Sequence, residues 1–155
     1  MLSRAGAIAL RALVELARDP AETLPLVELA RRQGLPEPML EQILQRLRRS
    51  GLVRARRGRH GGYQLVESAE TLTLDRVLQA VRHPRAGAGE AEEAKHPLDP
   101  GPLGASAGHR VERQLRSRLE LLLRRELQRL TLAELLYDQQ SWEASLGPDG
   151  GVMLL

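Results

Sequence analysis

Residues 26–66 read LVELARRQGLPEPMLEQILQRLRRSGLVRARRGRHGGYQLV and contain two periodicities in succession. Up to Arg49, apolar residues recur every three or four positions, which is the spacing of amphipathic helices. Gly34-Leu35-Pro36 interrupts this pattern and predicts a short turn between two helices, the second from about residue 37 to 49. From residue 52 to 66, two short runs typical of strands flank a turn rich in Gly and Arg. The stretch therefore predicts a helix-turn-helix followed by a β-hairpin, or wing.

Further helices are expected on either side of this unit. Ser3 is placed to cap a first helix that runs to about Arg18, and Thr73 to cap a fourth. A long amphipathic helix is predicted from about residue 109 to 130. Thr131 and Glu134 then fit the capping box of a short helix.

The fold class predicted from these elements is mainly α with a small β-hairpin. It combines a winged helix-turn-helix domain with a long C-terminal dimerisation helix. The predicted division of the chain is a DNA-binding domain at 1–82, an effector-type loop at 83–108, the dimerisation helix with its short following helix at 109–140, and a disordered tail at 141–155.

Charge is distributed unevenly along the chain and points to double-stranded DNA as a partner. Residues 1–66 hold 12 arginines and 6 acidic residues, a balance of +6, whereas the remainder has a balance of −3. Polar side chains on the third helix suit the major groove, and arginines of the wing suit phosphates or the minor groove, while glycine lets the backbone approach closely. The predicted DNA-binding residues are Pro38, Glu41, Gln42, Gln45, Arg46, Arg54, Arg56, Arg57, Arg59, His60 and Gly61.

The long helix carries an apolar stripe that a domain of this size has little left to cover. Pairing with a second copy is the expected use, so the sequence predicts a homodimer. The predicted dimerisation residues are Val111, Leu115, Leu119, Leu122, Leu123 and Leu127.

Several classes of protein and site are disfavoured. The chain has no cysteine, which excludes disulfides and cysteine-ligated zinc or iron–sulfur sites. Charged residues interrupt the first 18 positions, so neither a signal peptide nor a membrane span is expected, and we expect a cytoplasmic protein. No nucleophile–base pair and no phosphate-binding glycine loop is recognised, so an enzyme is not expected.

Residues 26–53 and the wing motif Arg57-Gly58…Gly61-Gly62-Tyr63 resemble the bacterial winged helix-turn-helix regulator family that includes IscR, NsrR and CymR. The motif at 130–135 is similar to the one that follows that family's dimerisation helix, and the resemblance covers about residues 2–138. It implies a dimeric transcription regulator that recognises a palindromic operator. By matching position, it implies that Glu41 and Gln42 lie at the major groove and that Arg57 serves the wing contact.

The sequence also departs from that family. Many members carry three cysteines in the loop that corresponds to 83–108, where they hold an iron–sulfur cluster, and this chain has none. Some members add a carboxylate near Ala7 or a histidine near His109, and neither residue here restores a cluster. We therefore expect no cofactor and no metal.

Histidines and acidic residues near the loop match no recognised metal pattern and are interpreted as solvated: His83, His96, His109, Glu90, Glu92, Glu93 and Asp99. Control by a small molecule, control by a partner protein and no control at all remain open. The alternative function is a winged-helix protein-interaction module controlled by a partner protein.

Overall fold

The computed structural model describes residues 2–82 and 106–146. Two compact units are distinguished: one contains the residues up to Arg82 together with those from Leu127 onward, and the other ends at Glu126. The elements in chain order are α1 (Arg4–Ala17), α2 (Leu26–Gln33), α3 (Glu37–Arg49), β1 (Val53–Arg56), β2 (Gly62–Leu65), α4 (Leu74–Val81), α5 (Ala107–Arg129) and α6 (Leu132–Ser145). The described part of the chain is therefore mainly helical with one hairpin, which confirms the predicted fold class.

Local signals in the sequence explain where the first helices begin and end. The Ser3 hydroxyl accepts a hydrogen bond from the backbone N–H of Gly6 at 3.0 Å, so it caps α1 as predicted. Gly34 ends α2 in a left-handed conformation with φ of +59°, which a residue with a β-carbon adopts only at a cost. Thr73 precedes α4 but makes no side-chain capping bond, so only its position was predicted correctly.

The first unit is built around α1. This helix contacts α2, α3, α4, α6 and β2. Leu13, Leu29 and Leu44, from the first three helices, are completely buried in the shared core. Burying a leucine contributes about 1.5–3 kcal/mol, so the leucine-rich core supplies the stability that aromatic residues would otherwise give.

The hairpin pairs β1 with β2 in an antiparallel register that places Val53 opposite Leu65 and Arg54 opposite Gln64. The hairpin spans residues 53–65, which lies within one residue of the predicted 52–66 at each end. A third segment, which the sequence did not indicate, joins them, because Leu24 forms an isolated bridge with Tyr63.

Backbone hydrogen bonds hold the C-terminal segment of the first unit, from Leu127 onward, against the residues at the start of α4. Leu74 N–H donates to Leu130 O at 2.9 Å, and Leu132 N–H donates to Leu72 O at 2.8 Å. The capping box at the start of α6 includes a 2.8 Å bond from Thr131 N–H to Glu134 Oε2, as predicted.

Two helix boundaries differ from the prediction: the end of α6 and the start of α5. Helix α6 continues to Ser145, so the prediction of a disordered tail from 141 is wrong for residues 141–145. Glu143 accounts for the extra turn, since it accepts a bond from Gln139 Nε2 at 2.9 Å and pairs with Arg18, the residue that follows α1. Helix α5 begins at Ala107, two residues before the predicted start. Residues 147–155 of the predicted tail and residues 83–105 of the predicted loop lie outside the described residues.

Within the described ranges, no helix combines the length and the apolar character needed to cross a membrane.

Candidate nucleic-acid interface

Helix α3 has one buried and one exposed face. Its core face consists of Leu40, Ile43, Leu44 and Leu47. Glu41, Gln42 and Gln45 are exposed, as is Pro38 in the first turn, where the missing N–H has no helical partner to lose. Gln45 Nε2 lies 3.5 Å from Glu41 Oε1, so these two side chains share one surface. The structure thus places four predicted DNA-binding residues on the outer side of the second helix of the helix-turn-helix.

Arg46 differs from these neighbours. It is half-buried, and its Nη1 donates to the backbone oxygen of Val81 at 3.3 Å. The guanidinium therefore links α3 to the last residue of α4. This contact fixes the C-terminal half of α3 against the domain, a role that the sequence pattern did not indicate.

The wing presents its cations at the end of the hairpin. Arg56, Arg57, Arg59 and His60 are all exposed. The turn is closed by a 2.9 Å bond from Gly61 N–H to Gly58 O. A β-carbon at Gly61 would lie 2.4 Å from Arg56 O, so only glycine permits this turn. The structure therefore gathers three of the predicted arginines, the histidine and the glycine within one tight loop.

Backbone and side-chain hydrogen bonds hold the wing on the loop between α1 and α2. The backbones of Leu24 and Tyr63 exchange hydrogen bonds of 2.9 and 2.8 Å. The Thr23 hydroxyl donates to His60 O at 2.7 Å. The wing tip is consequently tied to the segment that leads into α2.

Arg54 lies at the base of the wing and has a partner that sequence reasoning missed. Its Nε and Nη2 donate to Gln64 Oε1 at 3.1 and 2.9 Å. Gln64 is only 6% exposed, and its Nε2 donates to the backbone oxygen of Pro20. The signal that could have found this pair is the strand register, since Arg54 and Gln64 face each other across the hairpin.

An ionic network joins α1 to α2. Glu15 is buried and lies 3.0 Å from Arg32 and 3.2 Å from Arg18. Glu28 accepts from Arg31 and Arg32, each at 2.7 Å. Hydrogen bonds from Arg31 and then Arg32 lower the pKa of Glu28 to about 2. The Glu15–Arg32 pair thus ties the first helix of the helix-turn-helix to α1, whereas the Glu28 pairs lie within α2.

In the second unit, the apolar stripe of α5 is exposed. Spacings of three and four residues place its members on one side of the helix, which we call the exposed row. The exposed fractions are 65% for Val111, 55% for Leu115, 56% for Leu119, 60% for Leu122 and 48% for Leu123. Leu127, at the start of the C-terminal segment of the first unit, is half-buried. A large exposed apolar surface of this kind is typical of an interface.

The chain is similar to known transcriptional regulators. A family model described as "Rrf2: Iron-dependent Transcriptional regulator" matches residues 2–138. The HTH-type transcriptional regulator IscR of Cereibacter sphaeroides is 41% identical over 114 residues, which cover 72% of this chain and 68% of that protein. The solved structure of T. potens IscR matches with a TM-score of 0.68 and 26% identity over 90% of this chain and 88% of that one. CymR, the global cysteine regulator of B. subtilis, matches with a TM-score of 0.66 and 26% identity over 88% of this chain and 96% of that one.

The donor atoms of this chain differ from those that hold an iron–sulfur cluster. The sequence contains no cysteine, so the thiolates that hold a conventional iron–sulfur cluster are missing. Ala7 is apolar, and His109 Nδ1 lies 2.9 Å from Ser106 Oγ. Across residues 2–82 and 106–146, no three His, Cys, Asp or Glu residues are grouped to hold a metal. The donor set does not fit a cysteine-ligated cluster. His83, His96 and the acidic residues between 90 and 99 lie outside the described residues.

Proposed function

The chain belongs to the Rrf2 family of transcriptional regulators, and we propose that it is a cytoplasmic homodimeric repressor that binds a palindromic operator in double-stranded DNA. It is proposed to do so without a conventional iron–sulfur cluster. The observation that carries this proposal is the exposed polar face of α3 together with the arginine-rich wing that follows it.

Each surface suits a different part of DNA. Gln42 and Gln45 offer amides that can pair with adenine, and the Glu41 carboxylate can accept from the amino group of cytosine. Arg57 and Arg59 are exposed at the tip of the hairpin, where their guanidinium groups can reach phosphates. We therefore assign base reading to α3 and backbone contact to the wing.

The exposed row on α5 supports a dimer. Covering its leucines with the same row of a second copy would remove them from water, and a two-fold axis would result. Two α3 helices related by that axis would read inverted half-sites about one DNA turn apart, or a multiple of it. This relation is the reason for proposing a palindromic operator.

Capture of fragmented genomic DNA tests the proposal. Purified protein, expressed without added metal, is incubated with fragments at about 150 mM salt, where nonspecific phosphate binding is weak. Recovery of a short inverted repeat is the expected result. The sign of regulation then follows from transcription of the adjacent genes with and without the protein.

Failure to recover a specific sequence, with a normal dimer and no affinity for any duplex, would contradict the proposal. It would favour the winged-helix protein-interaction module instead. A small-molecule or protein effector would be recognised by specific recovery only when a cell extract is added.

A further inference from the structure

The amide of Gln64 is enclosed and has its orientation fixed by its neighbours. Its Oε1 accepts both bonds from Arg54, and its Nε2 donates to Pro20 O. The flipped amide would place its NH₂ group against the arginine donors and its oxygen against a carbonyl oxygen. Because the Gln64 amide cannot flip, its Oε1 holds the guanidinium of Arg54 in one orientation.

Arg54 is the group so held. It is exposed, and it uses two of its five N–H donors on Gln64, which leaves three for a ligand. Residues two apart on a strand share a face, so Arg54 lies on the same side of β1 as Arg56. The pair extends the cationic surface of the wing from its tip to its base.

We propose that Gln64 is a positioning residue that pre-orders Arg54 for contact with a DNA phosphate at the base of the wing. This inference rests on the proposed function, because it requires that the wing contacts DNA. A free arginine must be immobilised on binding, which costs affinity, whereas Arg54 is immobilised in the folded protein already. Gln64 itself does not touch DNA.

Pro20 lies in the loop between α1 and α2, and a second contact between that loop and the wing supplies the control. Thr23 also ties the loop between α1 and α2 to the wing, through its bond to His60 O, but it does not touch Arg54. If Gln64 acted only by tethering the loop through Pro20, removal of the Thr23 hydroxyl would have the same consequences. The two roles are therefore separable by experiment.

The test is a double-mutant cycle on binding of a fluorescein-labelled duplex of mixed sequence, about 30 base pairs long, at about 50 mM salt, where phosphate contacts dominate. We expect Gln64→Met to raise Kd roughly three- to tenfold when Arg54 is present and less than about twofold in the Arg54→Ala background. Arg54→Ala should also reduce the slope of log K against log salt by about one. Thr23→Val should have the same effect in both backgrounds.

Three outcomes would overturn the inference. Equal losses from Gln64→Met in both backgrounds would show that Gln64 does not act through Arg54. If Gln64→Met does not fold, Arg54→Lys provides the same test, since it keeps the charge but not the two-donor fork, and unchanged affinity would contradict positioning. If the wild-type protein shows no salt-dependent duplex binding, the proposed function is overturned as well. In the first two outcomes the wild-type protein binds normally, so only the inference about Gln64 is overturned.

Discussion

Leu24 and Tyr63 bond to each other through both of their backbone groups, although 38 residues separate them in the chain. The bridge brings the chain before α2 directly against Gly62. A β-carbon at Gly62 would lie 2.5 Å from the carbonyl carbon of Leu24 and 2.6 Å from its oxygen. The position of the wing relative to the helix-turn-helix thus depends on the absence of a side chain at this residue.

Gly62→Ala should therefore lower the free energy of unfolding by about 2–4 kcal/mol, because backbone must move to admit the methyl group. Gly34→Ala is the matched control, since Gly34 has a positive φ but open space around it. That change should cost only the left-handed conformation, about 1–2 kcal/mol. Urea denaturation measures both, and an equal or smaller loss at Gly62 would contradict the close approach.

The double change Arg57→Ala, Arg59→Ala should weaken duplex binding while leaving the dimer intact. Both side chains are exposed at the tip of the wing, so the fold should tolerate their removal. Loss of two phosphate contacts should reduce the slope of log K against log salt by about two. Fluorescence anisotropy at several salt concentrations, with gel filtration on the same samples, measures this.

Arg76→Ala is the control for that experiment, because Arg76 is already paired with Glu67 at 2.7 Å. Removal of Arg76 should change the slope of log K against log salt by less than about one, which is the change expected for each wing arginine. Loss of the dimer with unchanged affinity in the double variant would show that the wing assignment is wrong.

Sequence periodicity predicted the helices and the hairpin to within a few residues, because each is specified locally. Gly34 ends α2, Ser3 caps α1, and the Leu/Ile spacing of α3 marks its buried face. The last turn of α6 was not predicted, since Arg18 and Glu143, 125 residues apart, are brought together only by the fold.

Side-chain roles within the candidate site were less predictable for the same reason. Arg46 and Arg54 both appear as free cations in the sequence. In the structure, Arg46 bonds to Val81 O and Arg54 to Gln64. Exposure could be inferred from helix and strand periods, and the Arg54–Gln64 pair from the register of the hairpin, whereas the partner of Arg46 on α4 could not.

Stability in acid should depend on Glu28. Arg31 and then Arg32 lower its pKa from the ordinary 4.5 to about 2 in the folded protein. Because the folded pKa lies below the unfolded value, the stabilisation is present above about pH 4.5 and is lost as the pH falls towards 2. Glu28→Gln should lower Tm at neutral pH and make the decline of Tm between these pH values shallower.

Glu22→Gln is the control for loss of one carboxylate, because Glu22 is exposed in the loop between α1 and α2. Thermal melts from pH 7 to 2 measure all three proteins. A Glu28→Gln curve parallel to the wild-type curve throughout would contradict the proposed linkage.

The dimer proposal predicts that Leu119→Glu combined with Leu122→Glu gives a monomer. If each leucine is covered by a second copy, its loss removes about 1.5–3 kcal/mol of apolar burial and also buries a charge, so the dimer dissociation constant should rise by at least two orders of magnitude. Leu121→Glu is the matched control: Leu121 is 58% exposed on the same helix but, at 100° per residue, lies away from the row that contains Leu119. Sedimentation equilibrium compares the wild type, the double variant and Leu121→Glu.

Two results would contradict the proposed interface. If Leu121→Glu dissociates the dimer and the double variant does not, the interface lies on another face of α5. If neither change dissociates the dimer, α5 does not hold the dimer together. The second result would also remove the support that α5 gives to a palindromic operator, because the two-fold axis was inferred from its exposed row.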